Sequence, residues 1–236
     1  MAKWDPWRGC HRHSAGCKYC YIHKGDARRG VDTGDIRRSE SGFDAPLKKT
    51  STGAYKMRGG QTVYLCFSSD FLLPEADGWR PACWQMMRRR PDLHFLFLTK
   101  RIERLPHCLP PDWGSGYPNV TVGCTVEDQS AADLRLPIFS ALPICHKNII
   151  CQPLLGPVDI SAHLAGVELV VVGGESDPRA RPLYYDWVLT LRDQCAAAKT
   201  HFSFRQCGTH FVKDGRAYTL ATRDLGRQAR CAGIDF

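Results

Sequence analysis

The sequence predicts an α/β protein, a partial (β/α) barrel of about six or seven parallel strands. Three observations predict it. Short apolar runs rich in Val, Ile, Leu and Phe recur from residue 61 to residue 204. Stretches of helical character separate most of them, which is the βα rhythm of a parallel sheet. The runs are near-continuously apolar, as expected of strands buried on both faces. The count falls short of a full eight-fold barrel, and a doubly wound open sheet is the alternative.

The elements follow in order. Trp4-Asp5-Pro6-Trp7 has room for a very short strand, which Pro6 confines to an edge or an end. A helix is expected near residues 19–27. Residues 22–60 are polar and Gly-rich, an irregular insertion within what reads as a single domain over 1–236. An excursion this long in a compact domain is often a lid or a binding loop. Thr62-Val63-Tyr64-Leu65-Cys66-Phe67 is the next strand, and Trp79 to Arg90 a helix starting close to Pro81. His94-Phe95-Leu96-Phe97-Leu98 is a strand, followed by a short helix to about Leu105. Asn119 to Cys124 is a strand. Helical pattern from about Asp128 is interrupted by Pro137 and stopped by Pro143. Asn148-Ile149-Ile150-Cys151 and Glu168-Leu169-Val170-Val171-Val172 are strands, Tyr184 to Ala198 is a helix, and His201-Phe202-Ser203-Phe204 is the last strand.

Each strand end carries polar or charged residues: Asp70, Lys100, Glu127, Gln152, Glu175 and Gln206. In β/α barrels the site lies at the C-terminal ends of the strands. Any βα loop is polar where it meets water. That bland reading accounts for one or two of these residues and less well for long polar side chains at so many ends.

Cys10, Cys17 and Cys20 form CxxxxxxCxxC directly after the first short strand, so this loop is expected at the same mouth. Thiolates are soft ligands that suit zinc or iron–sulfur clusters. No second CxxC lies downstream, so a closed four-cysteine zinc site is not evident. Three cysteines can hold a [4Fe–4S] cluster with one iron open to another molecule. A zinc knuckle completed by His11, His13 or His23 is the alternative. The other cysteines, such as Cys66, Cys124 and Cys151, lie singly in apolar runs and read as small buried residues of a reducing cytoplasm.

No apolar run is long enough to cross a bilayer. Lys3, Asp5 and Arg8 stand where a signal peptide needs an apolar core. A membrane protein and a secreted disulfide scaffold are thereby excluded as expectations. The net charge of +8 suits a polyanionic partner, with nucleic acid the commonest and solubility the bland alternative. The excess lies at Arg28, Arg29, Arg37, Arg38, Lys48 and Lys49, at Arg88 to Arg90, and at Lys213, Arg216, Arg223, Arg227 and Arg230.

Several of these segments also carry a family resemblance. They are Trp4-Asp5-Pro6-Trp7-Arg8-Gly9-Cys10, Gly16-Cys17-Lys18-Tyr19-Cys20-Tyr21, Leu98-Thr99-Lys100-Arg101, Pro153-Leu154-Leu155-Gly156-Pro157 and Gly173-Gly174-Glu175-Ser176. Together they resemble a phage- and prophage-associated family of unknown function marked by the three-cysteine motif. That family in turn resembles the radical S-adenosylmethionine (SAM) enzymes. The radical SAM loop is CxxxCxxC with an aromatic residue just before the last cysteine. Tyr19 matches the aromatic, while the six residues between Cys10 and Cys17 depart from the usual three.

The resemblance implies a mechanism. Cys10, Cys17 and Cys20 hold the cluster, and its open iron takes the amino and carboxylate groups of SAM. One electron from a donor cleaves SAM to methionine and a 5′-deoxyadenosyl radical, which abstracts hydrogen from a substrate. Tyr19 packs against adenine. Glu127, Gln152 and Glu175 hold the ammonium and ribose hydroxyls, and Lys100 or Arg101 the carboxylate. Asp70 joins this cofactor set, and Gly173 and Gly174 let backbone approach the ligand. Lys100, Glu175 and Cys207 are the candidate catalytic residues; Cys207, after the last strand, is expected as a radical-quenching hydrogen donor or a further ligand, with an ordinary small residue as the alternative. The resemblance also implies a glutamate before Pro-Leu-Leu-Gly, where this chain has Gln152. An amide hydrogen-bonds but cannot neutralise an ammonium.

Three function classes follow: a radical SAM-like enzyme acting on nucleic acid or a nucleotide, a non-enzymatic metal-binding module that grips nucleic acid, and a redox or cluster-sensing partner of another protein. A grip on phosphates has no use for Glu127 and Glu175 at the strand ends, which favours the enzyme.

Overall fold

The computed structural model describes residues 2–236. Among the described residues, twelve strands and six α-helices follow one another. They are β1 (Ala2–Trp4), β2 (Trp7–Arg8), α1 (Tyr21–Arg28), β3 (Arg37–Arg38), β4 (Thr62–Leu65) and α2 (Arg80–Arg89). Next come β5 (His94–Thr99), α3 (Leu105–Cys108), β6 (Val120–Thr125), α4 (Gln129–Ala141), β7 (His146–Cys151) and β8 (Val167–Gly173). The chain closes with β9 (Leu183–Tyr184), α5 (Tyr185–Ala198), β10 (His201–Gln206), β11 (His210–Lys213), β12 (Arg216–Thr219) and α6 (Leu225–Cys231).

Seven of the strands make one parallel sheet in the order β1-β4-β5-β6-β7-β8-β10, the pattern of a partial β/α barrel. Each strand neighbours the one that precedes it in the sheet, as right-handed βα units dictate. β6 is buried at every position, and β5 alternates buried with half-buried residues. β1 is an edge strand that ends before Pro6, so the proline removes no ladder hydrogen bond.

The chain divides into two compact units, each drawn from separate stretches of sequence. The first holds the chain up to Arg12, residues 22–123 and residues 142–146; the second holds residues 13–21, 124–141 and 147–236. The first unit is cored by aromatics. Phe71 lies 5.4 Å from Trp7, 4.9 Å from Trp84 and 4.9 Å from Phe97. Trp4, Trp7 and Trp84 are fully buried, and their indole N–H groups donate to the carbonyls of Phe43, Asp70 and Cys108. The expected insertion contains α1, β3 and a turn at Ala45–Leu47. It is tied down by buried Arg90, which donates to the carbonyls of Pro46 and Met57 and stacks 4.0 Å over Tyr55.

Three elements differ from expectation. α4 runs through Pro137 instead of breaking there. Proline leaves the carbonyl four residues earlier without its helix partner. That residue, Asp133, is exposed, as is Pro137, so the lost bond falls on the solvent side. β10 is not the last strand: β11 and β12 follow as an antiparallel hairpin, joined in a second sheet of order β12-β11-β9. The hairpin turn is Asp214-Gly215, both at positive φ (51° and 70°), a turn that Asp-Gly favours. A small antiparallel pair, Trp7 with Arg38, also joins β2 to β3.

Candidate cysteine-loop site

The loop carrying the cysteines is shared between the two units. In the first unit its beginning is anchored by backbone geometry. Gly9 has φ 93°, and a Cβ there would lie 2.8 Å from the Asp35 carbonyl, so only glycine fits without a shift. The Ser69 hydroxyl donates to the Gly9 carbonyl, and the Cys10 N–H donates to Thr33 at 2.8 Å. Arg101, at the end of β5, donates to the His11 carbonyl at 2.8 Å and to the Asp70 carboxylate at 3.0 Å. Asp70 also accepts from the Thr99 hydroxyl and the Leu72 N–H, both at 2.9 Å. Asp70 and Arg101 are therefore a buried pair that positions backbone. The Lys100 N–H reaches Asp70 at 3.4 Å.

In the second unit the rest of the loop meets two buried carboxylates. Glu127, after β6, is 1% exposed. One of its oxygens accepts from Arg135 of α4 at 2.6 Å, and the other accepts the Ser14 hydroxyl. Gly16 lies against the same side chain, where a Cβ would come within 2.6 Å of the carboxylate. Glu175, after β8, is 6% exposed. It accepts from the Arg181 N–H at 2.9 Å and from both Nε (3.0 Å) and Nη2 of its guanidinium. Arg181 Nη2 also donates to the Ala15 carbonyl at 2.9 Å. The two strand-end carboxylates thus each hold an arginine, and each complex grips the cysteine loop.

The other expected residues of this unit lie as follows. The Tyr19 ring is half-buried, with Lys18 Nζ at 5.3 Å and the guanidinium carbons of Arg179 and Arg181 each at 5.7 Å. Gln152 is half-buried, and its side chain covers Gly173. The space beside Gly174 is taken by protein: a Cβ would meet the Gly208 Cα at 2.8 Å and the Cys207 carbonyl at 2.9 Å. Cys207 is buried, and burial pushes its thiol up to about 11.

This geometry meets a family assignment that covers nearly the whole chain: a family described as protein of unknown function (DUF5131) matches residues 1–231. The chain belongs to the DUF5131 family. No curated protein and no solved structure matches it.

The cysteine loop of this DUF5131 member carries three thiols of a chemistry that can ligate a soft metal. The His13 N–H donates to Cys17 Sγ at 3.4 Å, and hydrogen bonds to sulfur are one lever by which proteins tune cluster thiolates. Cys10 and Cys20 are half-buried. Elsewhere burial suppresses the thiolate: it pushes the thiols of Cys66, Cys83 and Cys151 far up and that of Cys195 up to about 12. No three His, Cys, Asp or Glu side chains converge in a metal-holding group among the described residues. Thiolates brought together repel one another without a cation between them, and metal binding commonly completes its own site.

Sequence reasoning missed Ser14, Gly16, Arg135 and Arg181. One signal was available: a carboxylate at the end of a buried strand needs a cation, because a lone buried charge costs too much. Which arginine supplies it depends on tertiary packing, since Arg135 is eight and Arg181 six residues downstream of its partner.

Proposed function

We propose that this protein is a radical SAM-like iron–sulfur enzyme acting on a nucleic acid or nucleotide substrate. The observation that carries the reading is the CxxxxxxCxxC loop of Cys10, Cys17 and Cys20, with Tyr19 before the last cysteine, following the first strand of a parallel β/α sheet. The phage and prophage association and the cytoplasmic setting belong to the same reading.

Cys10, Cys17 and Cys20 would hold a [4Fe–4S] cluster, which would supply the one-electron chemistry for reductive cleavage of SAM. The chain's own residues have separate work. Ser14, Glu127 and Arg135 fix the middle of the loop, and Arg181 with Glu175 fixes Ala15. Tyr19 offers a half-buried ring for adenine. Lys100 and Gln152, both half-buried at strand ends, supply an ammonium for a carboxylate and an amide for ribose hydroxyls. Because Glu175 and Glu127 are already paired with arginines, their contribution is to hold the loop.

The test is anaerobic reconstitution with iron and sulfide, followed by SAM and a chemical reductant as electron donor. Formation of 5′-deoxyadenosine and methionine supports the reading. A fully loaded cluster that leaves SAM intact contradicts it. The net charge of +8 favours a second reading, a metal-binding nucleic-acid module without catalysis. Stoichiometric zinc in place of iron would select that one.

A further inference from the structure

We infer that the β11–β12 hairpin and the segment after it form the nucleic-acid-binding surface of the second unit. This deepens the proposed function by locating its macromolecular partner, and it rests on that reading only for the choice of substrate class.

Charge is the first observation. Residues 199–236 hold seven Lys and Arg against three Asp, a net +4, half of the chain's +8. Elsewhere several arginines have a carboxylate to themselves, as in Arg101–Asp70, Arg135–Glu127 and Arg181–Glu175. Here one carboxylate, Asp224, serves both Arg227 (3.0 Å) and Arg223 (3.8 Å).

Register is the second. Lys213 and Arg216 flank the Asp214-Gly215 turn and lie directly opposite each other. Like charges facing across a ladder destabilise a hairpin. A polyanion removes that cost, because each phosphate neutralises a cation. Both side chains are exposed, as is every residue of β12.

The aromatic is the third. Tyr218 is two residues from Arg216, hence on the same face of β12, and is 43% exposed. Its opposite number is the buried Phe211, which packs 6.2 Å from Phe204. Phe211 packs this face onto Tyr185 of α5, and Lys213 Nζ lies 5.0 Å over the same ring, while Arg216 and Tyr218 stand on the exposed β12. Cations that track a backbone, beside an aromatic on which a base stacks, are the recurring recipe for single strands. The occupant is accordingly a nucleic-acid strand, with phosphates on Lys213, Arg216, Arg223 and Arg227 and a base against Tyr218.

The test is fluorescence anisotropy of the full chain with a labelled single strand and a duplex of about twenty nucleotides, between about 50 and 200 mM salt. Lys213→Ala with Arg216→Ala should weaken binding about ten-fold or more at the lower salt and reduce the salt slope by roughly 1.5, the share of two phosphate contacts. Tyr218→Ala should weaken the single strand more than the duplex. The exposed Arg37→Ala, on β3 of the first unit and outside the proposed surface, should leave both values unchanged. Circular dichroism of each variant confirms the fold, and Arg223→Ala with Arg227→Ala provides a second, independent loss outside the hairpin. Unchanged affinity and slope in both double variants, or an equal loss in Arg37→Ala, overturns the inference. Because binding is read without iron or SAM, failure here is distinct from failure of the enzyme reading.

Discussion

Glu127 and Arg135 illustrate how one buried residue pair organises a site. Both side chains are below 5% exposed, and their carboxylate and guanidinium meet at 2.6 Å. Removing one partner of such a pair leaves an uncompensated buried charge, at a cost of about 3–5 kcal/mol. Glu127→Ala should therefore lower unfolding free energy by that order in urea titration, and it should also release Ser14 and the space against Gly16. Loss of the exposed Arg88–Asp112 pair should cost less than about 1 kcal/mol. If the two losses are equal, Glu127 is not the buried hub described. Its position at a strand end was legible in the sequence, because polar residues there stand out against apolar runs. Its partner was not, since nothing in the spacing of residues 127 and 135 marks them as a pair.

At the scale of elements, the parallel strands were legible because each is a compact apolar run bounded by polar residues. Thr62–Leu65, His94–Thr99, Val120–Thr125 and Val167–Gly173 lie within two residues of the runs that announce them. The hairpin was not, because β12 buries nothing and so carries no apolar run. Only its Asp-Gly turn gave a local signal. Pro137 misled for a related reason: proline reports its own missing N–H but not whether the orphaned carbonyl meets water. The aromatic layer between α2 and its strands is the element most sensitive to change. Phe71 is fully buried among Trp7, Trp84 and Phe97. Phe71→Ala should cost about 3–5 kcal/mol, through lost burial plus the cavity left behind. A midpoint shift in thermal melting consistent with under 1 kcal/mol would mean that the layer repacks around the gap.

At the scale of the molecule, the cysteine loop is where sequence and packing come together. The sequence marks it by three thiols in a short span. In the first unit Arg101, paired with Asp70, holds the His11 carbonyl; in the second, Glu127 with Arg135 holds Ser14, and Arg181 with Glu175 holds Ala15. Such investment in a segment with little regular structure suits a loop whose ligands must be held in place. No helix is long and apolar enough to cross a membrane among the described residues. The most direct measurement is iron and acid-labile sulfide content after anaerobic reconstitution, for the natural chain and for Cys10→Ala, Cys17→Ala and Cys20→Ala. The account predicts about four irons and four sulfides per chain and a large loss in each variant, with Cys66→Ala and Cys195→Ala unaffected because those thiols are buried far from thiolate character. Iron below one per chain, or full loading in all three loop variants, contradicts it.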